Sequence, residues 1–221
     1  KRTKAMRNNI EKNQYIWQRR VMGVMILALA PLSILFGLIG WKYNPEGWWH
    51  SISDTYYANS QMVMAFIISV SSFFFCTYAG YDWRDRVVNL MSGIGLLGLL
   101  LFPCHNEGLA AVGTRVGLFN LPIELSGIIH TCFALLAFLG FFINEMFLFT
   151  LGGNEISPGK KKRNMIYRIC ACTVIVACIL LVLKNFVNMP ANTTWIAEII
   201  VLTGCGVAWL VKGEALKFLN D

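Results

Sequence analysis

The chain has 221 residues, 56% of them apolar and only 14% charged, with a net charge of +7. A soluble domain carries about 25% charged residues, so this composition excludes an ordinary soluble enzyme. It points instead to one polytopic membrane bundle, because several uncharged runs approach the roughly 20 residues that cross a bilayer. The positive charge gathers at the ends of apolar runs, as a topology signal does. No basic face with interleaved aromatics exists beyond the short N-terminal arm, so no nucleic-acid partner is expected.

Residues 1–20 form a polar, basic arm with Lys1, Arg2, Lys4, Arg7, Lys12, Arg19 and Arg20. It reads as a solvated flank that sets orientation, with a short interfacial helix as the alternative. No cleavable signal peptide is expected, since the first apolar run is long and follows this arm. The first span covers about 21–41, and Pro31 should kink it. A loop at 42–61 opens with the Asn44-Pro45-Glu46-Gly47 turn signal. The second span covers about 62–80, followed by a short turn with Arg84 and Arg86. The third covers about 87–102, where Gly95 and Gly98 would let another helix approach closely and Pro103 ends the helix.

A long loop, 103–122, holds Cys104, His105, Asn106, Glu107 and Arg115. The fourth span, about 123–149, carries Glu124, His130 and Glu145. A loop at 150–164 contains the run Lys160-Lys161-Lys162-Arg163, a topology signal that also suits anionic lipids. The fifth span covers about 165–183 and the sixth about 195–211, with Glu198 inside it; a polar tail, 212–221, follows. Six of the seven cysteines lie in apolar runs, where they act as small hydrophobes. The absence of any Cys-x-x-Cys pair argues against a zinc ribbon or disulfide framework.

With six spans both termini share one side, and that side collects 16 of the 19 Lys and Arg. Positive-inside bias then puts both termini in the cytoplasm of a plasma (cytoplasmic) membrane protein. The expected fold is an all-α bundle of six transmembrane helices. Trp41, Trp48, Trp49, Tyr56, Tyr57 and Trp195 fall at the outer interface as an aromatic belt. Asn192-Thr193-Thr194 is an outer glycosylation pattern.

On this topology His50, Asp54, His105, Glu107, Glu124, His130 and Glu198 all lie on the outer half. Ionisable groups at membrane depth usually face a polar interior. His130 and Glu198 either bond each other across two helices or line a pocket that opens outward. Three chemistries suit these residue types. His50, His105 and His130 with Asp54 supply enough ligands for zinc, although no pair has metal-motif spacing. A bound metal would activate a water, with Asp54 or Glu124 as ligand or general base. Alternatively, Ser51 or Ser53 with His130 and an acid would form a nucleophilic group. Trp49, Tyr56, Tyr57, Arg115 and Glu198 are the candidate contacts to a ligand, the aromatic ones serving equally well as interfacial anchors.

Three short motifs carry a resemblance: Ser51-Ile52-Ser53-Asp54-Thr55-Tyr56-Tyr57, Leu101-Phe102-Pro103-Cys104 and Ser126-Gly127-Ile128-Ile129-His130. In helix order over residues 21–211 the chain resembles the bacterial integral-membrane family called domain of unknown function 998. It is more distantly similar to Frag/DRAM/Sfk-type membrane proteins, which are linked to lipid handling. His105 stands where such proteins often have Asp after Pro-Cys. The resemblance implies six helices and no assigned activity. The inventory of three His, an Asp and a Ser is also loosely similar to the alkaline-ceramidase class of zinc hydrolases, but order and spacing differ.

The functional expectation is an outer polar site that binds a lipid or small amphiphile, with metal-dependent hydrolysis as an added activity. The alternatives are a non-enzymatic lipid-binding, sensing or scaffold protein, and a small transporter or channel. The last is disfavoured because strongly polar residues, Glu145 apart, do not continue through the inner half.

Overall fold

A computed structural model describes residues 2–39, 50–106, 111–152, 156–184 and 186–219, with side chains from residue 11 onward apart from that of Lys217. Among these residues the fold is helical: α1 (Arg2–Leu38), α2 (Gln61–Thr77), α3 (Trp83–Leu101), α4 (Ile123–Ile143), α5 (Pro158–Leu183) and α6 (Thr193–Lys212). Four stretches, Glu11–Leu38, Ile123–Leu148, Pro158–Leu183 and Thr193–Lys212, are long and apolar enough to cross a membrane. The bundle is apolar on the outside as well: Met62, Phe66 and Phe73 on α2, Ile128 and Leu135 on α4 and Ile169 on α5 are all more than half exposed. Such continuous apolar surface suits lipid and is rare on soluble monomers.

Each helix packs on the next in the chain, and α6 returns to α1, so the six form a closed ring. Small residues set the close crossings. A Cβ on Gly95 would lie 2.6 Å from the Ala137 backbone nitrogen, and one on Gly98 would enter the Phe133 ring. The expectation that these two glycines admit a neighbouring helix is therefore met by α4. Gly140 sits against Ser92 in the same crossing, so α3 and α4 run antiparallel. On the other side Gly23 meets Gly206 and Leu210. The half of the ring that holds Arg19 and Tyr78 is filled by aromatic rings. Trp209 of α6 is fully buried and makes edge contacts with Phe75, Tyr78 and Phe149 at 5.3, 5.3 and 4.9 Å.

Several boundaries differ from the sequence expectation. The arm does not stop at residue 20: α1 is one helix from Arg2, with Arg19 buried and donating to the Tyr78 hydroxyl at 2.9 Å. Helix α5 starts seven residues early because Ser157 caps it, accepting from Lys160 N at 3.2 Å, and Pro158 occupies its first turn. Lys160 to Arg163 thus belong to a helix and not to a loop. The loop after α3 contains a two-residue antiparallel ladder, Arg115–Val116 with Leu121–Pro122. After α4 the chain continues as a π-helical turn, Asn144–Leu148.

Candidate functional site

Three loop-to-helix packings build the end of the bundle away from the Trp209 cluster. The first is a 3-10 turn, Ser53–Tyr57, held by its own side chains: Ser51 Oγ accepts from Asp54 N at 3.0 Å, and Thr55 Oγ1 donates to Ile52 O at 2.6 Å. These are the local bonds that Ser and Thr use to replace helix or sheet pairing. The second is the segment after α3, laid along one face of α4. Ser126 Oγ donates to Pro103 O at 2.8 Å, His130 Nδ1 meets Phe102 O at 2.8 Å, and His105 packs on Gly127, where a Cβ would come within 2.5 Å of its own Cβ. Phe102 stacks with Phe119 and with Phe133, at 5.1 and 5.6 Å, which steadies its carbonyl. The third is the start of α6, whose Glu198 accepts from Ile52 N and, at 3.0 Å, from the Ser53 hydroxyl. The three motifs read separately in the sequence meet here.

Together they enclose a cleft of about 460 Å³ whose walls include His50, Asp54, His105, His130, Lys184 and Glu198. At its floor His130 Nε2 lies 3.2 Å from Ser53 Oγ. His130 and Glu198 are joined through this hydroxyl and do not bond each other directly. Below the floor a small apolar pocket of about 70 Å³ shares Ser53, His130 and Glu198 with the cleft. Asp54 is buried and accepts from the Cys104 thiol at 3.3 Å. Burial raises its carboxyl above the ordinary value of 3.8, against hydrogen bonds from Asn106, Cys104 and Ser51 that lower it. Burial, with the Asp54 charge adding to it, also pushes the Cys104 thiol well above its ordinary value, so it is no ready nucleophile.

The histidines share a cleft but not a coordination shell. Among the described residues no group of three or more His, Cys, Asp and Glu stands close enough to hold a metal ion. His130 has both ring nitrogens engaged, one by a carbonyl and one by a hydroxyl. The zinc set His50, His105, His130 with Asp54 therefore lacks geometric support. Glu124 lies off the cleft wall, and its carboxylate accepts from Gly113 N at 2.8 Å, pinning the loop ahead of the small ladder. Arg115 is exposed on that ladder. Tyr57 donates its hydroxyl to Cys104 O at 2.7 Å and stands edge-on to Tyr56 at 5.3 Å, so this pair braces the cleft from behind. Trp49 and Glu107 lie outside the described residues.

Sequence reasoning missed Lys184, Thr194, Asn106 and Thr131 as wall residues. Lys184 carried the one available signal, as one of only three cations assigned to the outer side. Its ammonium donates to Thr194 Oγ1 at 2.9 Å. A second cavity of about 580 Å³, mostly apolar in character, runs between α4 and α5, with Leu135, Phe138 and Phe142 on one wall and Val174, Cys178 and Leu183 on the other. No family model, no curated protein and no solved structure matches this chain.

Proposed function

We propose that this is an integral membrane protein of six spans whose outer cleft binds a lipid or small amphiphile, head group in the cleft and chain in the α4–α5 groove. One observation carries this: the polar cleft and the apolar groove adjoin, since Leu183 lines the groove and its chain neighbour Lys184 lines the cleft. An amphiphile needs that combination, a wet end with a few polar groups and a long apolar channel. The cation and the three histidines on the wall suit a head group with acceptor oxygens. Transport has less support, because the aromatic cluster around Trp209 fills the inner half.

The remaining two spans in this proposal are α2 and α3, of 17 and 19 residues. At 1.5 Å per residue they reach roughly 26–28 Å, enough for a thin bilayer core. Both termini lie in the cytoplasm and the cleft faces outward across the plasma membrane, on the strength of the Lys/Arg asymmetry. Lys161 and Lys162, exposed on the first turns of α5, offer anionic lipids a contact on the inner side. A fluorescent-protein fusion at the C-terminus tests the orientation: it should fluoresce, and a dark but membrane-inserted fusion would overturn it.

The binding test is native mass spectrometry of the protein released from mild detergent, with an added single-chain lipid series. Groove-filling Cys178→Trp should remove binding of long chains, and Lys184→Glu should weaken anionic head groups selectively. Equal binding by wild type and both variants would refute this placement of the ligand.

A further inference from the structure

We propose that Ser53 is a nucleophile and His130 its general base, so that the cleft cleaves a carboxylic ester in the amphiphile it holds. This rests on the binding proposal above and adds a reaction to it. Nucleophilic serine sites need three things: a hydroxyl, a base within about 2.6–3.2 Å of it, and a third group that orients the base. All three are present. Ser53 Oγ lies 3.2 Å from His130 Nε2, and Phe102 O, 2.8 Å from Nδ1, takes the proton of that nitrogen. With Nδ1 as donor, Nε2 carries the lone pair and faces the hydroxyl.

The hydroxyl has one proton and two acceptors. In one setting it donates to Glu198 Oε1 at 3.0 Å, and in the other to His130 Nε2. Rotation about the Cβ–Oγ bond switches between them with no heavy atom moving. A single further proton satisfies the whole chain. It sits on Glu198, donated to Ser53 Oγ, or on His130 Nε2, donated to the same oxygen while Ser53 donates to Glu198. Glu198 is a positioning residue: it holds the turn through Ile52 N and faces the imidazolium across the serine oxygen.

Location favours the reaction as well. Ser53 is half-buried and borders both the polar cleft and the apolar pocket below, which is where the ester of an amphiphile bridges its two ends. Ser53 Oγ attacks the ester carbonyl carbon and passes its proton to His130 Nε2. The C–O bond to the alcohol breaks, and that alcohol leaves with the proton from His130. Water then attacks the acyl-serine, gives one proton to His130, and releases the acid as the serine regains its hydrogen. Lys184 supplies positive charge to the same cleft. No metal enters this sequence.

The test is covalent labelling of the full chain in mild detergent with a dodecyl fluorophosphonate, followed by intact and peptide mass spectrometry. The phosphorus–fluorine bond breaks, an oxygen–phosphorus bond forms at serine, and fluoride leaves. One adduct on Ser53 is expected, absent in Ser53→Ala and slowed about 100-fold or more in His130→Gln and His130→Asn, the usual size of a lost general base. Melting curves of each variant show that it is folded. A folded wild type with no Ser53 adduct overturns the proposal, as does an adduct rate unchanged in both folded His130 variants. If binding persists while labelling fails, only the nucleophile is lost. If methyl fluorophosphonate labels Ser53 while Cys178→Trp leaves long-chain binding intact, the groove is lost and the nucleophile stands.

Discussion

Replacing Glu198 separates a structural acid from a shared-proton network. Its carboxylate accepts from Ile52 N and the Ser53 hydroxyl, with the Ser53 backbone amide bonding it as well. In Glu198→Leu the hydroxyl still has His130 Nε2 within 3.2 Å, so the loss falls on the backbone amides of Ile52 and Ser53. An unsatisfied buried donor costs about 1–3 kcal/mol. For a chain of this size that lowers the melting temperature by roughly 2–4 °C per kcal/mol. Glu198→Gln is different. Its carbonyl accepts from Ile52 N, its amide donates to Ser53 Oγ, and the serine proton turns to His130. Every group is then paired, and the expected cost is below about 1 kcal/mol. A thiol-reactive dye reads the melt as the rise above the signal of the exposed Cys132 and Cys172, because Cys104, Cys170 and Cys205 are buried until the fold opens. If Gln is as damaging as Leu, the site needs a full negative charge and the one-proton count is wrong. If Leu is neutral, the Glu198–Ile52 bond does not hold the turn.

Gly95→Ala forces α3 and α4 apart by nearly an ångström, since its Cβ would sit 2.6 Å from Ala137 N and 2.8 Å from Ala137 Cβ. A loss of about 1–3 kcal/mol is expected, together with weaker amphiphile binding, because α4 carries His130; an unchanged melt would show the crossing to be looser. Asp54 has a raised folded value, so its neutral form favours the native state. That stability is complete below the ordinary value of 3.8 and lost as pH rises through the raised one. Asp54→Asn should therefore flatten the decline in melting temperature above about pH 4, and parallel wild-type and variant curves would refute this. Glu145 is fully buried in the π-helical turn, and neither oxygen has a hydrogen-bond partner among the described residues, although the Cys205 thiol lies beside it. Glu145→Met should be neutral or stabilising by about 1–3 kcal/mol; a marked drop in melting temperature would mean that the carboxyl is held by a partner.

The sequence by itself determined that the chain is a bundle of apolar helices, roughly where the helices lie, and that the three histidines with Asp54 and Glu198 fall in or beside the same set of connections. Those properties follow from local composition and spacing, and Gly95 and Gly98 announced a close crossing for the same reason. Helix starts were less legible: α5 begins at Pro158 because a single serine caps it, a signal easily hidden beneath four charged residues. Tertiary structure alone decided which of these residues meet. Ser53 and His130 are 77 positions apart, and Ser53 and Glu198 are 145 apart. No spacing rule relates residues brought together by ring closure. The same closure turned Glu124 and Tyr57 to other partners, Gly113 N and Cys104 O, and brought Lys184 to the cleft wall. Residue type says what a side chain can donate or accept, but the neighbour that takes up this capacity depends on how the helices close around it.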